Sequence, residues 1–424
     1  MGPLWQQCCR SARKVDNGRV NRGSGESRGG ANLPALRGYN EALLLDLLRG
    51  AGPVGLGRTE LAARTGLTPQ AVSKITARLG ADGLVAEAGR AASTGGKPST
   101  LLRLMPDARH AVGVHLDRDG LRAVRVDLAG RVVAESMGPL DFAAGPEAAV
   151  EVVVRAVARV GDPARPPLLG VGLVAPGPLD HRAGVMGRVT GFPSWKGFPL
   201  RGVLEGRLGL PVLLDKDTNA GAAAAAGAWL RAAWPDADVG RDADVGHGAV
   251  AGRGADVGRG AVAGPDAGTD VDVGGPRTCV YLHVGTGLGA GLWLAGGVYR
   301  GARSAAGEFG HQVLLLDGPP CRCGARGCVE VLCLEAVARG DLPEAARILG
   351  EGAANLVALL DVDRVLLGGR VVAAAPEVFV AGVRAVLAAR ALEPARPVVA
   401  LAGAGVAEGA AELVLASLFG RAGG

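Results

Sequence analysis

Aromatic residues and long apolar runs are both scarce in this chain. Aromatic residues make up 3% of the 424 residues, whereas hydrophobic residues make up 48%. The basic start is not followed by an apolar run of the length that a signal peptide requires, so we expect a cytoplasmic protein with reduced cysteines. One uncharged stretch, residues 278–299, is long enough to cross a bilayer. Its six glycines and its strand–turn–strand pattern predict a buried sheet instead.

Two segments lack the residues that build a core. Residues 1–37 are rich in glycine, arginine and serine without periodicity, and we expect a disordered tail. Residues 235–276 contain no leucine, isoleucine or aromatic residue and repeat the tetrapeptide ADVG three times. This segment is therefore predicted to be a flexible insertion. The length of 424 residues suggests two or three domains. The formal net charge of +5 is mild, but residues 38–105 carry eight Lys and Arg against five Asp and Glu, which permits contact with nucleic acid.

Residues 38–105 have the pattern of a winged helix-turn-helix domain. One helix is predicted at residues 40–52, and two more lie on either side of a turn at Thr65 to Thr68. Thr68 is suited to cap the third helix, and Pro69 suits its first turn. Residues 85–104 alternate strand, glycine turn and strand, as a hairpin does.

The third helix of this domain is the predicted reading helix. Such a helix enters the major groove and contacts base edges with its early, outward residues. The residues that we expect to contact DNA are Gln70, Ser73, Lys74 and, on the hairpin, Lys97, with Thr76 and Arg78 placed for phosphates. The alternative is a small helical bundle with ordinary solvated polar residues.

The segment GHQVLLLDGPPCRCGARGC, residues 310–328, contains a metal-ligand pattern. His311, Cys321, Cys323 and Cys328 offer one nitrogen and three sulfur donors, with glycines that let the backbone turn between them. This is the ligand set of a closed, structural Zn²⁺ site. The alternative is a group of small buried thiols.

After residue 109 short apolar strands alternate with helices, which predicts an α/β fold. Asp217 ends a strand and precedes an alanine-rich helix, where a carboxylate could accept a proton from a substrate hydroxyl or simply cap the helix. Glu308 and Glu330 add polar groups around the metal ligands. The loop HVGTGLGAGL, residues 283–292, could approach an anion closely, although tight strand packing explains it equally well.

These pieces resemble the ROK (repressor/ORF/kinase) family of sugar kinases and sugar-responsive repressors. The resemblance runs from Gly38 to the C-terminus outside the insertion, through GVGLVAPGPLD, GFPSWKGFPL, GEFGH, CRCGARGCVE and RVLLGG. It implies an actin-like, hexokinase-type two-lobed fold over residues 110–424, with sugar bound between the lobes. It also implies sugar contacts for Asp217, Glu308, His311 and Glu330, and zinc ligation by His311, Cys321, Cys323 and Cys328.

Two departures from the family pattern favour a regulator over an enzyme. The kinases hold ATP with Asp-x-Gly-Gly-Thr-Lys, but here the stretch is HLDRDG, with His115 in place of the aspartate and with Arg118 and Asp119 where phosphate must approach. Lys216 replaces an asparagine beside Asp217, and its ammonium group could pair with that carboxylate.

We therefore expect a regulator of carbohydrate genes, a repressor, that binds operator DNA and a sugar effector. It would be a homodimer or a dimer of dimers, without enzymatic activity and without contact to a membrane. The alternative is an ATP-dependent sugar kinase with Asp217 as its base. A third possibility is a regulator that has lost its ligand and responds to a protein partner.

Overall fold

The computed structural model describes residues 33–90, 99–117, 120–161, 166–189, 191–232, 278–391, 397–403 and 405–421. Most of the predicted tail and the whole predicted insertion lie outside the described residues. Lys97, Arg118 and Asp119 also lie outside them.

The N-terminal unit contains three helices and a small sheet. The helices are α1 (Leu33–Ala51), α2 (Arg58–Thr65) and α3 (Pro69–Ala81), and the strands are β1 (Leu56–Gly57), β2 (Val85–Arg90) and β3 (Thr100–Leu104). The strands pair antiparallel in the order β1-β3-β2. The predicted helices and hairpin are confirmed, although α1 begins five residues before the expected domain boundary at Gly38.

The first α/β lobe follows directly. Its strands are β4 (His110–Leu116), β5 (Gly120–Asp127), β6 (Val132–Pro139), β7 (Leu168–Ala175), the short pair β8 (Leu179–Asp180) and β9 (Val185–Met186), and β10 (Val212–Lys216). Helices α4 (Pro146–Val160) and α5 (Leu200–Leu208) also belong to this lobe. The main sheet has the order β10-β7-β4-β5-β6, and β7 is parallel to both of its neighbours.

The second lobe is built on another five-stranded sheet, ordered β13-β12-β11-β14-β15. The elements that follow β10 in chain order are α6 (Asp217–Ala232), β11 (Cys279–Val284), β12 (Leu288–Leu294), β13 (Gly297–Val298), α7 (Val329–Ala338), α8 (Leu342–Leu360), β14 (Arg364–Gly368), α9 (Arg370–Ala374), α10 (Pro376–Arg390), β15 (Val398–Leu401) and α11 (Val406–Leu415). Residues 278–299 form strands, as predicted. The expected pair of α/β lobes is confirmed.

Helices α6 and α11 lie between the two sheets, and glycines allow them to approach closely. A β-carbon at Gly113 of β4 would lie 1.9 Å from the carbonyl oxygen of Ala407 in α11. One at Gly409 of α11 would lie 1.8 Å from the carbonyl oxygen of Ala220 in α6. Only glycine permits such contacts between backbones. Asp217, the first residue of α6, is thereby placed where the two lobes meet.

The N-terminal unit shares a hydrophobic core with the first lobe and the C-terminal helix. Leu48 of α1, Val124 of β5 and Leu415 of α11 belong to one buried cluster. The fully buried guanidinium of Arg49 donates two hydrogen bonds of 2.7 Å to Glu412 of α11. These contacts attach the N-terminal unit to the helix that lies between the lobes.

Candidate functional site

A cleft of about 350 Å³ lies between the two lobes. It is bounded by the C-terminal end of β10, the loop between β11 and β12, and the start of α7. The proposed sugar-contacting residues all line it: Asp217, Glu308, His311 and Glu330. The structure thus brings together side chains that are spread over more than a hundred residues of sequence.

Two of these carboxylates are positioned by backbone amides. Asp217 stands in the first turn of α6, and its Oδ1 accepts a hydrogen bond of 2.7 Å from the amide of Thr218. Glu330 stands in the first turn of α7, and its Oε2 accepts a hydrogen bond of 2.9 Å from the amide of Leu288. Glu330 therefore ties the loop between β11 and β12 to α7, while both carboxylates lie at helix N-termini, which stabilise negative charge.

Lys216 does not pair with Asp217, and that expectation was wrong. Its Nζ donates hydrogen bonds to the carbonyl oxygen of Ala306 at 2.5 Å and to Oε1 of Glu308 at 3.3 Å. The chain changes from strand to helix between Lys216 and Asp217, so the two adjacent side chains leave the backbone in different directions. The ammonium group consequently reaches across to the second lobe.

Further polar contacts between the lobes were not predicted. Buried Asp215 of β10 accepts a hydrogen bond of 2.8 Å from Nε of Arg300, and another of 2.7 Å from Nδ2 of Asn219. Nδ1 of His181 lies 2.6 Å from the hydroxyl oxygen of Ser304. The available signal was Asp215 itself, a charged residue that follows the apolar part of a strand, where a buried carboxylate without a partner would destabilise the fold.

The position that aligns with the first phosphate-binding motif is occupied by His115 at the end of β4. His115 faces Arg122 in the antiparallel pairing of β4 with β5. Burial lowers the pKa of this imidazole, although the carboxylate of Asp217 acts in the opposite direction. A neutral imidazole offers neither a carboxylate for magnesium nor a positive charge for phosphate. Asp117 does line the cleft.

The four predicted metal ligands converge on one point beside the cleft. The donor atoms of His311, Cys321, Cys323 and Cys328 all lie within 4.8 Å of one another. The Sγ atoms of Cys323 and Cys328 are 3.7 Å apart. This separation is too long for a disulfide but matches two thiolates on a tetrahedral zinc ion, which lie about 3.8 Å apart when each bond is about 2.3 Å. This cluster could hold a metal ion.

Glycines shape the backbone around these donors. The amide of Cys321 donates to the carbonyl oxygen of Ala325 at 2.8 Å, which closes a tight loop. Gly327 has a φ of +61°, and a β-carbon there would lie 1.7 Å from the carbonyl oxygen of Leu315. Burial, together with the neighbouring thiols, raises the pKa of Cys328 to about 12. A bound cation would supply the positive charge that this thiolate requires.

The predicted DNA-facing surface is the exposed side of α3. Thr68 caps this helix by accepting a hydrogen bond of 3.2 Å from the amide of Ala71, as predicted. The side chains of Gln70, Ser73 and Lys74 are exposed, whereas Val72 and Ile75 on the opposite side are buried in the core of the unit. Their role in DNA binding stays a prediction.

Thr76 cannot contact phosphate as expected. It is 4% exposed, accepts a hydrogen bond from Nε of Arg58 and donates one to the carbonyl oxygen of Ser73. Like Ile75, Thr76 lies on the buried side of α3. Arg78 is exposed but forms an ion pair with Glu41 of α1.

The comparisons with known proteins agree with this architecture. The model of the ROK family matches residues 271–341, which contain the loop between β11 and β12 and the metal ligands. The xylose repressor of Bacillus subtilis (strain 168) is 24% identical over 308 residues, covering 72% of this chain and 68% of that protein. This similarity identifies a ROK-like segment within the second lobe. A putative xylose repressor of Caldicellulosiruptor sp. (strain Rt8B.4) is 25% identical over 65% of this chain, and the match spans only 59% of that relative's length.

Solved ROK structures show the same fold. A ROK family transcriptional regulator, described as a homologue of the Escherichia coli MLC protein, matches with a TM-score of 0.66 at 18% identity, covering 91% of this chain and 97% of that one. The ROK hexokinase from Thermus thermophilus matches with a TM-score of 0.50 at 28% identity, covering 74% of this chain and all of the hexokinase. The chain therefore has the two-lobed, actin-like fold of the family. None of the described helices is long and apolar enough to cross a membrane.

Proposed function

We propose that this ROK-like protein is a cytoplasmic transcriptional repressor of carbohydrate genes that binds operator DNA and responds to a sugar. The observation that carries the proposal is the N-terminal unit, which presents the exposed side of α3 and shares a core with the lobes. The hexokinase match covers 74% of this chain, whereas the regulator match covers 91%. The names of the xylose repressors among its relatives support the same function.

The mechanism that we propose is a population shift. A sugar in the cleft would favour one arrangement of the lobes and would therefore move α11, which lies between them. Glu412 of α11 is bonded to Arg49 of α1, so this motion would reach the reading helices of a homodimer or a dimer of dimers. A change in the spacing of two α3 helices alters the fit to paired half-sites.

We propose that the metal is Zn²⁺ and that its role is structural. The set of three sulfur donors and one nitrogen donor suits zinc, and four protein ligands leave no open position for chemistry. The ion would hold the segment that presents His311 and the start of α7 to the cleft.

Purified protein and DNA fragments from upstream of its own gene provide the test. We expect fluorescence anisotropy to show specific binding of at least one fragment, weakened by D-xylose or D-glucose. Binding that is no tighter than to unrelated DNA, at low salt, would reject the proposal, since nonspecific affinity alone is a charge effect.

Sugar phosphorylation is the second candidate function. Asp217 lines the cleft as a general base would, and the glucokinase of Thermotoga maritima is 28% identical over 44% of this chain. The neutral His115 argues against it, because phosphoryl transfer depends on neutralising phosphate charge. We expect no sugar-dependent ATP consumption above that of the Asp217→Asn variant with hexoses or N-acetylhexosamines. Turnover of about one per second in the unmodified protein alone would establish a kinase.

A further inference from the structure

One segment of the second lobe, residues 300–308, is held against the first lobe by side chains along its whole length. Arg300 at its start is bonded to Asp215, and Ser304 in its middle to His181. At its end, Ala306 and Glu308 accept hydrogen bonds from Lys216. These partners lie on β10 and on the turn after β8, which belong to the other lobe. The segment therefore spans the wall of the cleft and connects the two lobes.

The contact of Lys216 is the one that enters the cleft. Its side chain is 5% exposed, whereas that of Glu308 is 52% exposed. Glycines on both sides make room for the lysine. A β-carbon at Gly177 would lie 3.0 Å from Cδ of Lys216, and one at Gly307 would lie 3.8 Å from its Nζ. The lysine thus lies between two glycines, with its ammonium group 2.5 Å from the carbonyl oxygen of Ala306 and 3.3 Å from Oε1 of Glu308.

We propose that Lys216 is an internal competitor for the effector site and a latch between the lobes. The inference rests on the proposed sugar response, in which Glu308 accepts hydrogen bonds from ligand hydroxyls. A hydrogen bond from an ammonium to a carboxylate is roughly twice as strong as one between neutral groups. A neutral sugar must therefore displace or share Lys216 before it can engage Glu308. Displacement frees residues 306–308 from β10.

Two consequences follow for the response to sugar. Lys216 lowers the affinity for neutral sugars, so the protein would respond only when the sugar is abundant. Release of Lys216 also loosens a contact between the lobes at the moment of binding, which links occupancy of the cleft to their relative arrangement. Lys216 acts here as a specificity-determining residue and not as a catalytic one.

The test compares Lys216→Met with Lys196→Met in the full-length protein. The first substitution removes the ammonium group but keeps an unbranched apolar stem that the space between the two glycines accommodates. Lys196 is exposed in the loop before α5 and does not line the cleft, so its variant controls for loss of one positive charge. The hydrogen-exchange rates of the backbone amides of residues 303–311 are measured without ligand. The affinities for D-xylose and D-glucose are measured by calorimetry.

We expect exchange in residues 303–311 to be about tenfold faster in Lys216→Met and unchanged in Lys196→Met, because a released segment opens more often. We expect affinity for at least one of the two sugars to rise about tenfold in Lys216→Met, as loss of one charge-assisted competitor would produce. A merely structural lysine would not give a gain in affinity.

Several results would overturn the proposal. Unchanged exchange in residues 303–311 would show that Lys216 is not a latch. Equal or weaker sugar affinity in Lys216→Met, or no binding of either sugar by any of the proteins, would show that it is not a competitor. Failure of the unmodified protein to bind DNA would instead reject the repressor function. The comparison of exchange rates would still show whether Lys216 holds residues 303–311 in place.

Discussion

At the scale of single residues, side chains two positions apart on one helix differ in their exposure to solvent. Lys74 is exposed on α3, whereas Thr76, two positions later, is buried and bonded to Arg58. The periodicity of a helix turns two such positions to different sides. Base contacts are therefore expected from Lys74 and its neighbours Gln70 and Ser73, and not from Thr76.

Replacement of Lys74 by alanine should weaken binding to operator DNA. If the ammonium group contacts a base edge, the loss should be about 1–3 kcal/mol and should depend on sequence. Titration of specific and unrelated fragments measures it, with Lys196→Ala as the control. An equal loss on all fragments would assign Lys74 to the phosphates instead.

Buried His110 should make stability depend on pH. Its Nδ1 accepts a hydrogen bond of 2.7 Å from Nε of Arg125, which requires the neutral ring. Burial, and then the charge of Arg125, lower the pKa of this imidazole, although Asp107 and Asp127 act in the opposite direction. Just below the unfolded pKa, His110 is therefore protonated in the unfolded chain and neutral in the folded protein. The stability that His110 contributes is complete above the unfolded pKa of about 6.5 and is lost as the pH falls below it.

Urea unfolding between about pH 7.5 and about pH 5.5 tests this expectation. The free energy of unfolding should decrease towards the acidic end, and the decrease should be smaller in His110→Gln, whose side chain can still accept from Arg125. It should not vanish, because burial also lowers the pKa of His115 and of His181. Parallel pH profiles for the two proteins would contradict this role of His110.

At the scale of elements, the metal ligands connect a short turn to the start of α7. His311 ends the turn Phe309–His311, and Cys328 directly precedes α7, which carries Glu330. A metal ion at this junction would hold two sides of the cleft wall together. Without it, the wall would depend on the backbone bonds of a glycine-rich loop.

Metal analysis should therefore find about one zinc ion per chain. Cys323→Ser should lose the ion and weaken any sugar response, because the ligands hold the cleft wall that carries Glu308 and Glu330. Cys333→Ala is the matched control, since Cys333 is a buried cysteine of α7 outside the cluster. Native protein without zinc, or a Cys323→Ser variant that retains it, would reject the assignment.

At the scale of the whole molecule, the N-terminal unit is joined to the lobes by a buried ion pair. Arg49 donates two hydrogen bonds of 2.7 Å to the carboxylate of Glu412, and its guanidinium lies 4.6 Å from the ring centroid of Phe419. Asp46 of α1 forms a second ion pair of 2.7 Å with Arg421, which follows α11 in the chain. Because α11 also packs against α6, whose first residue lines the cleft, the proposed mechanism routes movement at the cleft through Glu412.

Removal of one partner of this ion pair should lower the stability of the fold strongly, whereas removal of both partners should lower it much less. Arg49→Met leaves a buried carboxylate and should reduce stability by about 3–5 kcal/mol, while Arg49→Met with Glu412→Leu should recover most of it. The double variant should bind DNA but respond less to sugar, because the polar link is gone. Thermal unfolding and DNA titration with and without D-xylose measure both effects. An undiminished sugar response in the double variant would place the coupling elsewhere.

Local sequence was sufficient for several features that depend on neighbours along the chain, although not for the inward position of Thr76 on α3. The cap at Thr68, the turn at Thr65 to Thr68, the hairpin strands and the convergence of the metal ligands all follow from short spacings along the chain, which constrain the backbone directly. The α/β alternation similarly predicted the fold class, since apolar periodicity reports which side of an element is buried, whereas the pair of lobes was implied by the resemblance to ROK proteins. The metal and DNA roles themselves remain predictions.

Tertiary structure alone decided which charged residues meet. Lys216 is bonded to Glu308, 92 positions away, and not to the adjacent Asp217. Arg49 is bonded to Glu412, 363 positions away. No local pattern specifies such partners, because a buried charge requires an opposite charge without regard to its distance along the chain. The sequence determined the parts of this protein, and packing of α6 and α11 between the sheets decided how its cleft and its N-terminal unit are connected.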